Sequence, residues 1–157
     1  MLSTSVMKVR NERVISNSFR LQAQILNISN MKILWINGYL PNDSISENVD
    51  CKEILDTLAE VKRILDTSVY TDVIWIGDFN WDRSRTSRFA NIMEKFMSDM
   101  NLVDVWDKFQ VSHTHIHTDL KSTSTIDRVL VNERLLEFIS DAGALNIGDN
   151  PSRHSPI

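Results

Sequence analysis

The sequence has one cysteine, Cys51, with three prolines and four glycines in 157 residues. A single cysteine excludes an internal disulfide and any zinc site built from several thiolates, in keeping with a reducing compartment. No apolar run approaches the roughly 20 residues that a bilayer span needs, and residues 1–10 lack the apolar core of a secretory signal. A nuclear or cytoplasmic protein is expected, neither secreted nor membrane-bound. Excess positive charge is missing too: 17 Lys and Arg stand against 21 Asp and Glu, a net charge of -4, with a pI near 5.5. A nucleic acid could not be held by overall charge and would need a local basic patch or a bound cation. Arg83, Arg85 and Arg88 are the candidate patch. What remains, 42% hydrophobic and 24% charged residues, is ordinary globular composition at the length of one domain, without repeat, low-complexity tract or linker.

The most informative stretch is residues 73–80, Val-Ile-Trp-Ile-Gly-Asp-Phe-Asn. Its apolar run predicts a buried strand at 73–76. Gly77 then permits a turn or a close backbone approach, so Asp78 and Asn80 emerge at the strand's carboxyl end. Two apart on an extended segment, they would share a side and could hold a water or phosphate between acceptor and donor. A plain turn would use the same residue types.

Elsewhere, alternation over 13–25, with Phe19, Leu21, Ala23 and Ile25 on the apolar face, predicts a half-buried strand. Residues 33–36 form its hairpin partner across a turn at 27–30. Pro41 ends that ladder. Ser44 and Glu47 are spaced as a capping box before a helix whose apolar stripe is Ile54, Leu55, Leu58, Val61 and Leu65. A second helix carries Phe89, Ile92, Met93, Phe96 and Met97 on one face. Its methionines are read as core filler. Further strands are expected at 111–118 and 125–131, and a short helix at 133–139. Hairpins mixed with strand-helix alternation favour a mixed α/β (α+β) sheet with outer helices over a doubly wound parallel sheet.

Polar groups gather at the ends of apolar segments in four places: Asn37-Gly-Tyr-Leu-Pro-Asn42, Gly77-Asp-Phe-Asn80, Ser124-Thr-Ile-Asp-Arg128 and Ser152-Arg-His-Ser-Pro156. In this order, with Asn101-Leu-Val-Asp-Val-Trp106, the sequence resembles the endonuclease/exonuclease/phosphatase superfamily over nearly its whole length. Within that superfamily it is most similar to the endonuclease domain of non-LTR retrotransposons. The resemblance implies a DNase I-like sandwich, two packed mixed sheets flanked by helices, and a phosphodiesterase acting on DNA with Mg2+ or Mn2+. It also implies that a reverse transcriptase could accompany the domain in a full-length element. Asp78 would then orient or deprotonate the attacking water, or protonate the leaving oxygen. Asn80 would hold the phosphate, and Tyr39 would hydrogen-bond one of its oxygens. His154 would stabilise the pentacovalent transition state, with Asp127 orienting its imidazole and favouring the cation. Asn42, Arg83 and Arg85 would contact substrate. Thr114-His115 falls where related endonucleases have a Thr-aromatic pair, which would have His115 line the substrate groove.

Two departures from that pattern stand out. The superfamily's metal-binding glutamate precedes the Tyr39 region, where Glu12 is the sole acidic residue. Glu12 lies in Arg10-Asn-Glu-Arg13, a stretch whose polar composition predicts a solvated bend, so the metal ligands are left unassigned. Arg153 stands where the superfamily has an aspartate, which removes an acceptor and repels a cation. The expectation is a single incomplete domain over 1–157, the central and C-terminal part, degenerate or weakly active. A competing reading is a non-catalytic nucleic-acid-binding remnant using Trp81, Arg83, Arg85, Arg88 and Lys121. An inositol-lipid phosphatase and a zinc site on His113, His115 and His117 are weaker alternatives. Three histidines alternating along a straight strand would span about 13 Å, too far to share one ion.

Overall fold

The computed structural model describes residues 9–42, 51–118, 121–145 and 150–157. Strands β1 (Val9–Val14), β2 (Leu21–Ile28), β3 (Met31–Tyr39), β4 (Asp72–Asp78), β5 (Leu102–Asp104) and β8 (Asp127–Asn132) form one six-stranded sheet, in the order β1-β2-β3-β4-β8-β5. The β3–β4 pair is parallel and the others are antiparallel. Helix α1 (Lys52–Thr67) makes the β3-to-β4 crossover that a parallel pair requires. Helices α2 (Arg88–Met100) and α3 (Glu133–Phe138) follow β4 and β8. Strands β6 (His115–Ile116) and β7 (Thr123–Ser124) make a second, two-stranded sheet. The fold is therefore the mixed α/β arrangement expected from the sequence. Among the described residues no helix is long and apolar enough to cross a membrane.

Strand β4 is apolar at successive positions because both its faces are covered. Trp75 joins the core made with Ile54, Leu58, Val61, Ile64 and Leu65 of α1 and Phe89, Met93 and Met97 of α2. Ile74 packs against a second cluster around Val105, Val131 and Leu135. Each of the two long helices packs the apolar stripe its spacing dictates, except that Leu55 is exposed. Ser87 caps α2, its hydroxyl accepting from the Ala90 N–H, and Asn101 closes it in the left-handed conformation.

Several expectations are corrected. The stretch Arg10-Asn-Glu-Arg13 is part of β1, in register with β2, rather than a bend. Its side chains are exposed on an edge strand, so no apolar alternation reveals it. Phe19 is 90% exposed and precedes β2. The strand expected at 111–118 is reduced to His115–Ile116. That expected at 125–131 starts only at Asp127, in β8, because the N–H groups of Ile126 and Asp127 donate to the Thr114 hydroxyl at 3.1 and 3.0 Å instead of to a neighbouring strand. The Ser44 and Glu47 capping box lies outside the described residues.

Gly77 has φ of 147°, and a Cβ there would lie 1.9 Å from the Gly38 carbonyl oxygen of β3. Backbone against backbone leaves nothing flexible to yield. Gly77→Ala is expected to cost on the order of 3 kcal/mol or more, or about 10 °C in melting temperature at this chain length. An unchanged thermal melt would exclude this account of the close approach.

Candidate active site

The site is assembled by strand register. Tyr39 at the end of β3 pairs with Asp78 at the end of β4, and Asp78 pairs with Asp127 at the start of β8. On the far side of β3, the Tyr39 N–H donates at 3.0 Å to the carbonyl of Arg20, which immediately precedes β2. Arg20, Tyr39, Asp78 and Asp127 thus form a row across the sheet, at the carboxyl end of the parallel pair. Ligands commonly bind at that end of a sheet, because loops leaving it can be polar.

Beyond Asp78 the chain is not extended as the residue spacing predicts. Asn80 has φ of 48°, and its N–H donates to Asp78 Oδ1 at 2.8 Å, closing a tight turn. Its carboxamide Nδ2 donates to the Leu40 carbonyl at 2.9 Å. The Asn80 side chain is therefore fixed to the end of β3, and Asp78 keeps its second carboxylate oxygen for other partners.

His154 arrives from the C-terminal segment. Its Nδ1 faces both carboxylate oxygens of Asp127, at 3.0 and 3.1 Å. Arg128, the next residue, turns away to the buried Asp104, so Asp127 is the histidine's partner and not the arginine's. The segment carrying His154 adds to the small sheet on both sides of the histidine. The Ser155 N–H donates to the Thr114 carbonyl at 2.8 Å, and the Ile116 N–H donates to the Arg153 carbonyl at 2.9 Å. Thr114, fully buried, thereby connects the Asp127 strand and the His154 segment through one residue.

Burial pushes the Asp78 carboxyl up from its ordinary range, and the neighbouring Asp127 charge adds to this against the Asn80 N–H and the His154 charge. His115 lies with its ring 4.6 Å from that of His154 and 4.8 Å from that of His117. Burial, with His154, His117 and Arg153 nearby, pushes its imidazole below the usual histidine range despite Asp127.

Ligand atoms of Asp78, Asp127 and His154 all lie within 4.8 Å of one another, which brings together a donor set suited to a divalent cation. Two carboxylates facing each other, one with its charge disfavoured by burial, fit a cation electrostatically. The Nδ1 of His154 is engaged by Asp127, however, so the carboxylates are the better ligands.

Asn42, Arg85 and Arg88 are exposed, beyond the ends of β3 and β4. Arg83 pairs with Glu94 and Asp107, so its charge is largely answered within the protein. Trp81, expected as a stacking surface, is 1% exposed and covered by Arg128, whose guanidinium lies 4.7 Å from the ring centroid. It cannot meet a base. His115 and His117 share a side as their spacing requires, but the metal-capable group among the described residues is the Asp78, Asp127 and His154 set. Sequence reasoning misses Arg20 and the linking role of Thr114. Arg20 is one residue from a predicted apolar position, and only strand register brings it to the row. Thr114 is marked only as half of the Thr-aromatic pair with His115, which does not disclose the strand and the segment it joins.

Neither a protein-family profile nor a curated protein matches the chain. Solved structures do. An AP endonuclease from Archaeoglobus fulgidus superposes with a TM-score of 0.70 at 18% identity, over 95% of this chain and 69% of its own. The endonuclease domain of TRAS1, a telomere-specific non-LTR retrotransposon, gives 0.69 at 15% identity, over 94% and 66%. The AP endonuclease LMAP from Leishmania major gives 0.67 at 14% identity, over 87% and 52%. The fold is therefore that of the endonuclease/exonuclease/phosphatase proteins, and this chain spans between half and about two thirds of the length of these structures.

Proposed function

We propose that this chain carries the phosphodiester-cleaving site of a DNA endonuclease of the retrotransposon type, working with weak activity. The observation that supports this most is the row Tyr39–Asp78–Asp127 with His154 held by both oxygens of Asp127. Hydrolysis of a phosphodiester needs a base for the attacking water and positive charge on the phosphate as it gains a fifth oxygen. Asp78, whose burial raises its proton affinity, takes the proton from water. Asp127 fixes the His154 imidazole through Nδ1, leaving Nε2 to donate to a phosphate oxygen. The Tyr39 hydroxyl, at the exposed end of β3, donates to another oxygen, and the second N–H of the Asn80 amide to a third. A divalent cation held by Asp78 and Asp127 would neutralise charge on the phosphate and the departing oxygen, with magnesium or manganese suiting oxygen ligands.

DNA as substrate is supported by the sequence motifs and by the similarity to AP endonucleases and to the TRAS1 domain. A retrotransposon origin, with a reverse transcriptase elsewhere in the element, is supported by the Asn101-Leu-Val-Asp-Val-Trp106 and Ser124-Thr-Ile-Asp-Arg128 motifs. Weak activity follows from two features. Arg153 brings a cation next to His154, and Glu12, in register with Ile25 of β2, sits well down the strand from Arg20 and the row. The test is nicking of supercoiled plasmid with magnesium or manganese and with chelator. Slow, metal-dependent nicking is the expected result. No nicking with either metal would reject the assignment.

A further inference from the structure

We propose that Phe19, Arg20 and Tyr39 form a stacking site for an unpaired nucleobase beside the phosphate-binding row. This rests on the nuclease reading of Asp78 and its neighbours and adds a substrate preference to it: DNA locally unpaired at the point of cleavage.

Phe19 is an aromatic where no core residue would sit. It is 90% exposed, and Tyr39 is 48% exposed. The Arg20 guanidinium lies near both rings, 5.0 Å from the Phe19 centroid and 5.2 Å from that of Tyr39. Glu53 of α1 holds the same guanidinium through Nε at 3.0 Å, which fixes its plane. A flat cation flanked by two accessible rings is a surface on which a base can stack whatever its identity, since every base offers a π face.

The loop is braced for this presentation. The Asn17 N–H donates to Glu60 Oε1 at 2.7 Å, and Arg63 donates to the Ile15 carbonyl at 2.7 Å. Ser18 Oγ accepts from the Arg20 N–H at 3.2 Å. Two side chains of α1 and a serine turn thus fix the loop before DNA arrives, reducing the ordering cost of binding.

Position selects the occupant. Arg20 and Tyr39 share the row with Asp78, and Arg20 and Asp78 lie two strand spacings apart, about 10 Å. A base resting on Phe19 would therefore belong to the nucleotide flanking the phosphate held at Asp78. Arg20 is paired with Glu53, so it contributes its flat face to the platform rather than free charge to the DNA backbone. In a duplex, bases are already stacked on their neighbours and cannot reach the platform without being freed.

Binding is measured by fluorescence anisotropy in chelator, to prevent cleavage, with a fully paired DNA duplex and with the same duplex carrying a short unpaired stretch. The unmodified protein is expected to prefer the unpaired substrate. Phe19→Ala should weaken that binding about tenfold while leaving the paired duplex nearly unchanged, and Phe19→Trp should restore it. The exposure of Phe19 makes a folding defect in either variant unexpected, and a thermal melt checks this. Equal affinity of the unmodified protein for both DNAs would overturn the proposal. So would an equal loss on both, or a change in oligomeric state without a change in DNA binding. Plasmid nicking separates the two readings: metal-dependent nicking alongside an unaltered Phe19→Ala binding profile leaves the nuclease assignment standing and removes only the stacking site.

Discussion

Replacing Asp78 by Asn is expected to abolish plasmid nicking, with a loss of about a thousandfold or more, while the protein remains folded. General acid-base catalysis alone contributes about 10² to 10⁴, and removal of a cation-binding carboxylate adds to that. Asparagine keeps an oxygen that can accept from the Asn80 N–H, so the turn after β4 survives. The pH dependence of stability identifies the cause. Burial, with the Asp127 charge adding to it, holds the Asp78 carboxyl above its reference value of 3.8. A raised carboxyl favours the fold while protonated, and that contribution is lost as pH rises through its folded-state value. In chelator at neutral pH, Asp78→Asn should therefore melt at or above the temperature of the unmodified protein. The difference should disappear well below about pH 4, where Asp78 is protonated in both states. Lower stability of the variant at neutral pH would show that Asp78 is a structural residue, and nicking at an undiminished rate would remove it from the mechanism.

Arg128→Met should give the largest loss of stability among substitutions that do not involve glycine. Arg128 is 3% exposed and its partner Asp104 is fully buried. Its Nε donates to the Trp81 carbonyl at 3.0 Å and Nη2 to the Thr125 carbonyl at 3.1 Å. One side chain therefore ties the loop after Asp78 to the loop before Asp127. Burial already pushes the Asp104 carboxyl up, with Arg128 opposing it. Removing the cation leaves a buried, unpaired carboxylate at a cost of about 3–5 kcal/mol, or about 10–15 °C in melting temperature. Arg128→Lys should fare little better, since a point charge cannot reproduce a fork that reaches Asp104 and two carbonyls. Pairing Arg128→Met with Asp104→Leu should recover much of the loss, because no charge is then stranded. Calorimetry of the three variants decides it. A single-variant loss below about 1 kcal/mol would mean that the pair is worth no more than an exposed one.

The parts of the structure that are legible in the sequence share a physical cause. The long helices show in apolar spacing, and β3 and β4 in apolar runs, because burial dictates both patterns. What stays hidden is structure made by hydrogen bonds alone. Strand β1 presents Arg10, Asn11, Glu12 and Arg13 on an edge where none of these side chains is buried. Strand β8 begins where Thr114 takes two N–H groups, and no local pattern marks that point. At the candidate site, motif resemblance points to Tyr39, Asp78, Asn80, Asp127 and His154, and register sets Tyr39, Asp78 and Asp127 side by side. The neighbouring Trp81, an expected DNA contact, is contradicted by its place beneath Arg128. Alternation puts Phe19 in the core with Leu21, Ala23 and Ile25, yet β2 starts only at Leu21, so the pattern extends one step too far.

The hydrogen bonds of Thr114 join two parts of the chain that are far apart in sequence. The six-stranded sheet is made within residues 9–132, whereas the contact of His154 with Asp127 also draws on residues 153–155, fastened by the Ser155 N–H to the Thr114 carbonyl. Trp75 and Trp81 are thus buried in a core that, among the described residues, takes none from the segment carrying His154.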